Sequence, residues 1–284
     1  MISIFAKPPF LNTNPSQPYI FGTPIRHGHL MRVSSLIRGI QMADSLKCKL
    51  NPIEGFENDV CIYVKPHVRT DGDFKFEGKP YLDIVDGWDL IHLLRKHPEV
   101  PVICMSQFDC ENVARYCDNR IVFIPQHHIN HERVMRNPEA VVNVGIVGTE
   151  QSFPFVPEDL KLKLTERGMK LVFLSKFDKL EDIKDFYKDL YVQIVWRPYR
   201  RKMGNPLKLV NGASFGVPTI AYYEDTFKEM NGYYIPVKTI NEFVEELDKL
   251  RSDARAYGEF SKKIFNKAEE YHIDKIADLY RKLT

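Results

Sequence analysis

The chain has 284 residues, 44% of them apolar and 27% charged, with a formal net charge of +2. This is the composition of a globular chain with room for two domains, and it excludes a disordered polyelectrolyte or a chain whose overall field alone would recruit nucleic acid. No apolar run approaches the ~20 residues of a membrane span, and five cysteines without a C-x-x-C pair argue against a disulfide framework or a zinc site.

The first ten residues lack the long apolar core of a signal peptide, so a cytoplasmic location is expected. Residues 2–6 read as a first strand. A stretch rich in Pro, Asn and Gly follows over residues 7–28, and long loops of this kind are often functional. Leu30, Val33, Leu36, Ile37 and Ile40 then recur at helical spacing, which predicts a helix from Gly28 to about Leu46. A glycine-bearing loop between strand and helix makes an anion-binding corner, because a helix start presents unpaired N–H groups and the positive dipole end. His27, Gly28, His29 and Arg32 are the candidates there.

Residues 58–65 read as a buried strand. The following Asp71-Gly72-Asp73 matches a D-x-D metal motif only superficially, since Asp-Gly is ordinary turn chemistry. Strands are predicted over 80–86, 101–106 and 120–125, with helices over 88–96 and 108–117 between them. This alternation predicts a mostly parallel sheet, whose ligands bind beyond the carboxyl ends of the strands. The polar residues at those ends are Ser106, Gln107 and a pair read as exposed, His127 and His128. Residues 129–140 are polar and read as the connection between domains.

A second apolar series opens with a strand over 141–147 that exits at Gly148 and Thr149, short of a full G-x-G-x-x-G fingerprint. Helices over 160–167 and 183–190 and strands over 171–174 and 192–196 lead to a basic loop. Arg197, Arg200, Arg201, Lys202 and Lys208 are five cations within twelve residues, with no acid among them. A helix start follows: Gly204 breaks the preceding segment, Asn205 caps and Pro206 takes the first helical position. Leu207, Leu209, Val210, Ala213 and Phe215 give an apolar side, Gly216 ends the helix, and Pro218 prevents its continuation. Cations gathered at a helix N-terminus suit a diphosphate. A strand over 217–222, an amphipathic helix over 242–250 and a charged helical tail over 254–283 complete the chain.

The segment KLVNGASFGVPTIAY, 208–222, resembles the K-L-x-E-x-x-A-x-G-x-P-V-I-A segment of retaining glycosyltransferases of the GT-B fold. The Glu that holds the nucleotide ribose in that family is Asn211 here, and its partner Glu, eight positions earlier, falls at Met203. RHGHLMRV, 26–33, is similar to a reduced form of the family's first glycine loop. The resemblance implies an α/β chain of two Rossmann-like domains facing across a cleft. It implies an acceptor-binding domain over 1–138, a sugar-nucleotide domain over 139–268, and a last helix over 269–284 packing back on the first through Ile273, Ile276, Leu279 and Tyr280. It further implies transfer from a nucleoside-diphosphate sugar, a UDP-sugar first, with retention and no obligatory metal or cofactor. Arg197, Lys208 and His27 are then the catalytic candidates. Gly28, Gly148, Thr149, Arg201, Lys202, Asn205, Pro206, Leu207 and Asn211 face the donor. His29, Arg32, Ser106, Gln107, His127 and His128 face the acceptor. That acceptor is a glycan or lipid-linked sugar, or a hydroxymethylated base in DNA, as for small phage enzymes of this fold. Two other readings stay open: a non-catalytic nucleotide- or partner-binding protein, and an unrelated α/β protein whose basic helix start binds another phosphorylated ligand.

Overall fold

The computed structural model of the chain describes residues 1–6, 34–66, 68, 72–137, 142–148, 150–175, 177, 180–198 and 201–284. Two compact units emerge. Unit 1 comprises Met1–His127, Arg201–Asn205 and Ile273–Thr284; unit 2 comprises His128–Arg200 and Pro206–His272.

Unit 1 is built on a parallel sheet in the order β2-β1-β3-β4-β5-β6. Its strands are β1 (Ile2–Ala6), β2 (Lys49–Leu50), β3 (Val60–Val64), β4 (Lys79–Val85), β5 (Val102–Cys104) and β6 (Ile121–Phe123). Every residue of β1 and β3 is buried, as continuous apolar runs covered on both faces require. Side chains alternate between two apolar layers. Ile4, Ile62 and Val64 pack with Met42 and Ala43 of α1 (Ser34–Leu46) and with Ile276, Ala277 and Tyr280 of α9 (Ile273–Arg281). Phe5, Tyr63, Leu82 and Ile84 pack on the other face with Leu93 and Leu94 of α2 (Ile91–Lys96) and Val113 of α3 (Gln107–Val113). The last helix therefore belongs to unit 1 by its packing.

A buried polar cluster pins that layer. Arg38 of α1 donates from Nε to Asp83 Oδ2 of β4 at 2.7 Å and to the carbonyls of Ile124 and Pro125 at 2.9 Å. The Tyr280 hydroxyl donates to the same Asp83 oxygen at 2.8 Å. Burial works against the guanidinium charge, but Asp83 and Tyr280 outweigh it and hold the Arg38 pKa above its ordinary value.

Unit 2 carries a second parallel sheet, in the order β11-β10-β9-β7-β8. The strands are β7 (Asn143–Val147), β8 (Lys170–Leu174), β9 (Val192–Val195), β10 (Thr219–Tyr222) and β11 (Ile235–Val237). Leu160 and Leu164 of α4 (Asp159–Thr165) and Phe243 and Leu247 of α7 (Ile240–Ser252) cover one face over Val144, Ile194 and Ile220. Leu209, Val210 and Ala213 of α6 (Leu207–Ser214) cover the other, with Ile264 and Ala268 of α8 (Ala254–Ala268) behind them. Tyr187 of α5 (Leu180–Lys188) stacks on Phe215 at 5.6 Å.

The segment 129–140, polar and read as the connection between domains, is described as far as residue 137, and its described residues group with unit 2. Ile129 is buried, and Asn130 Nδ2 donates to the Ser214 carbonyl at 2.5 Å. Arg136 donates to the carbonyls of Tyr191 at 3.1 Å and Gly216 at 3.4 Å, and to the Tyr257 hydroxyl. The polar side chains of this segment satisfy carbonyls that the end of α6 leaves open. The charged tail over 254–283 is helical, as α8 and α9 with His272 between them. All five cysteines remain thiols.

Candidate functional site

In unit 2 the strand order reverses at β7: β8 lies on one flank and β9 on the other. Such a reversal opens a crevice beyond the strand ends, where open α/β sheets bind ligands. Gly148 leaves β7 there, its N–H held by the Leu174 carbonyl at 3.0 Å. Arg197 follows β9 and Glu224 follows β10. Arg197 is no bare cation. Its Nε and Nη2 donate to the two Glu224 carboxylate oxygens at 2.8 and 3.0 Å. The Thr226 hydroxyl donates to Glu224 Oε2 at 3.1 Å, and the guanidinium lies 5.5 Å from the centre of the Phe227 ring. A bidentate buried pair fixes the guanidinium plane and cancels most of its field.

The net positive end of this site is α6. The helix starts at Leu207, one residue later than its sequence suggested, with Pro206 at the cap position and Asn205 just outside. The positive dipole end of this helix and Lys208 in its first turn are of the kind that suits an anion. Lys208, Leu207 and Asn205 are half-buried. The far end closes as a Schellman motif. Gly216 N–H reaches the Ala213 carbonyl at 2.8 Å and Val217 N–H reaches that of Gly212 at 2.9 Å. Gly216 has φ +69°, and a Cβ there would meet Met135 Cε at 2.9 Å.

Asn211 does not point to an open ligand position. It is buried, its Oδ1 accepts from the Ile129 N–H at 3.2 Å, and its side chain also bonds the Tyr187 hydroxyl. At the position of the family's ribose-holding acid, this chain has a residue that fastens segment 128–130 to α6. Met203, at the position of the other acid, is buried in the core of unit 1.

The basic segment is divided between the units. Arg201, Lys202 and Asn205 group with unit 1, whereas Arg197, Pro206, Leu207, Lys208 and Asn211 group with unit 2. In unit 1, Ser106 caps α3. Its Oγ accepts from the Asp109 N–H at 2.9 Å and donates to the Gly204 carbonyl at 2.8 Å. Asp109 Oδ1 accepts the Gly204 N–H at 2.9 Å. Ser106 thus clamps the basic loop and is buried, while Gln107 beside it is exposed.

The two histidines expected at the surface are both buried. His127 Nε2 donates to Gln41 Oε1 at 2.7 Å. His128 packs its ring 5.4 Å from that of His272, which in turn lies 6.3 Å from His131. Burial, reinforced by His272 and His131, pushes His128 down to about 3. His128 is therefore a neutral core residue at ordinary pH. His27, Gly28, His29, Arg32 and Thr149 lie outside the described residues. Asp73 of the D-x-D triplet is largely exposed and bonds His97 at 2.6 Å, and no group among the described residues could hold a metal ion.

Sequence reasoning missed Glu224 and the Arg38–Asp83–Tyr280 cluster. A signal existed for Glu224: an acid directly after an apolar strand stands at a carboxyl strand end, where function gathers.

Solved structures share this architecture. Anabaena HepE in complex with UDP-glucose superposes with a TM-score of 0.61, covering 99% of this chain and 98% of that one at 11% identity. A DNA-modifying β-glucosyltransferase, crystallised with and without uridine diphosphoglucose, gives 0.54 over 99% of both chains, also at 11% identity. The fold is that of a GT-B glycosyltransferase. TarM gives 0.56 at 12% identity over 79% of this chain, which spans only 54% of TarM. No protein-family profile matches the chain, and no curated protein matches it.

Proposed function

We propose that the chain is a glycosyltransferase that moves a sugar from a UDP-sugar to a hydroxyl acceptor, with retention and without an obligatory metal. The observation that carries this reading is the whole-length likeness to HepE with UDP-glucose, joined to a polar site at the one point in unit 2 where the strand order reverses. In the reaction the bond from the sugar C1 to the diphosphate oxygen breaks and a bond from C1 to the acceptor oxygen forms. The diphosphate keeps the bonding electrons, and its oxygen takes the acceptor proton. Negative charge grows on that oxygen, so donors aimed at it in advance lower the barrier. The positive end of the α6 dipole and the Lys208 ammonium are the groups suited to supply them. Arg197 contributes as a guanidinium whose plane is set by Glu224, Gly148 leaves the neighbouring strand exit, and Thr149 stays a donor-side candidate. His27 stays a catalytic candidate, Gly28 a donor-side one and His29 and Arg32 acceptor-side ones, and the acceptor is a glycan, a lipid-linked sugar or modified DNA.

One observation favours a second reading. The positions of both acids in the resembling family are occupied by residues with internal tasks, Asn211 and Met203, as in a protein that binds a nucleotide without transferring sugar. Release of UDP from UDP-glucose over an acceptor panel separates the two. Turnover that disappears in Lys208→Ala supports the transferase; tight UDP binding with no turnover on any acceptor supports the binding protein.

A further inference from the structure

Unit 1 carries a pocket of about 270 Å3 lined by Trp88, Ile91, Arg95, Asn112, Tyr116 and Lys202. The lining holds two cations and no carboxylate. Neither cation is in an ion pair among the described residues. Each instead lies over a ring: the Lys202 ammonium 5.6 Å from the centre of Trp88, and the Arg95 guanidinium 5.8 Å from that of Tyr116. The two rings meet edge to face at 4.9 Å. An aromatic face orients a cation without neutralising it, so both charges stay available to a ligand.

The placement is built rather than incidental. Lys202 sits on a loop whose main chain is fixed to α3. Asn112 Nδ2 donates to the Lys202 carbonyl at 2.6 Å, and Ser106 and Asp109 hold the two peptide groups of Gly204 at 2.8 and 2.9 Å. Met203, between them, is sunk in the core. Arg95 is held through Nε by the Tyr116 carbonyl at 2.9 Å, which leaves its two terminal nitrogens without a protein partner among the described residues.

We propose that this pocket binds an oxyanion carried on a body the size of one sugar ring, the phosphate ester or uronate of a saccharide acceptor. Its volume lies just below the roughly 300 Å3 where pockets for drug-sized ligands begin, which suits a single substituted sugar. Lys202 and Arg95 take the oxyanion, Ile91 and the Trp88 edge take the C–H face, and the Asn112 carbonyl oxygen accepts a hydroxyl. A polynucleotide would need a track of cations following evenly spaced phosphates, whereas two cations converging on one pocket fit one terminal group. That the ligand is the acceptor rests on the transferase reading above; that the pocket binds it does not.

The full chain is titrated by NMR and calorimetry with glucose 6-phosphate, glucuronate, neutral glucose and a short oligonucleotide, and in parallel with UDP. The expected result is millimolar or tighter binding of glucose 6-phosphate or glucuronate, whichever oxyanion the pocket selects, with glucose at least tenfold weaker. Arg95→Gln and Lys202→Gln each weaken the charged sugar about fivefold or more, and Arg95→Gln leaves UDP affinity unchanged. Equal affinity for glucose and both charged sugars, or charged-sugar binding unaltered in both variants, overturns the proposal. An oligonucleotide that displaces the charged sugars and binds more tightly overturns it in favour of nucleic acid. UDP binding without charged-sugar binding sinks the pocket alone; charged-sugar binding without UDP binding supports the pocket and sinks the transferase.

Discussion

Replacing one member of the Arg197–Glu224 pair strands the other in a largely buried position. The side chains are 9% and 6% exposed and bonded through two N–H···O contacts at 2.8 and 3.0 Å. Removing one partner from a buried pair costs about 3–5 kcal/mol. At about 2–4 °C per kcal/mol for domains of this size, Glu224→Leu or Arg197→Met alone should lower the unfolding midpoint of unit 2 by roughly 6–20 °C. The double variant removes both charges and keeps the volume, and such replacements of buried pairs are often neutral or better. Its stability should therefore return to within about 1–2 kcal/mol of the parent, with Met packing where the guanidinium met Phe227. Urea unfolding of the four proteins gives the cycle. Single variants that each cost less than about 1 kcal/mol and add in the double would show an exposed pair of the ordinary surface kind, and the geometry argued here would be wrong. The folded double also isolates the functional role. If Arg197 touches the diphosphate, the double loses about tenfold or more in UDP affinity, about 1.4 kcal/mol. If it binds UDP like the parent, Arg197 leaves the site.

Lys208→Ala should cut transfer by about 10²–10³-fold, the usual loss when one charge-stabilising donor is removed, with the unfolding midpoint nearly unchanged; stopped assays of UDP release check the first and thermal unfolding the second. Gly216→Ala puts a side chain at φ +69° against Met135, and should cost about 1–2 kcal/mol from the left-handed backbone alone, read from urea midpoints. His128, held near 3 in the folded chain, takes up its proton on unfolding below about 6.5. The unfolded state then binds more protons, so this residue's contribution is intact above about 6.5 and declines as pH falls toward 3. His128→Phe should flatten the stability profile in that window by up to about 1.4 kcal/mol per pH unit; identical slopes in the two proteins refute the burial argument.

The architecture was largely legible because continuous apolar runs such as VCIYV and VQIV, set between amphipathic segments, leave little choice but a covered parallel sheet. The Schellman stop at Gly216 was legible for the same local reason: glycine alone accepts that backbone without strain. What stayed hidden were partnerships between residues far apart in the chain. Asp83 and Tyr280 are separated by 197 residues, and Asn211 finds the Ile129 N–H 82 residues away. Polarity alone misled at His127, His128 and Ser106, each of which is buried inside the protein. Glu224 was invisible as a partner because Arg197 stood in a run of cations without acids, and only the adjacency of β9 and β10 brings them together.

The central claim is that the folded chain binds a uridine diphosphate sugar, and the most direct test is the thermal midpoint across uridine, guanosine and adenosine diphosphates and their sugars, at low and high salt. A ligand at a hundred times its Kd stabilises the folded state by about 2.7 kcal/mol. The midpoint should rise with UDP and UDP-sugars, and Lys208→Ala should abolish most of that rise. No shift with any of these nucleotides at millimolar concentration would contradict the account.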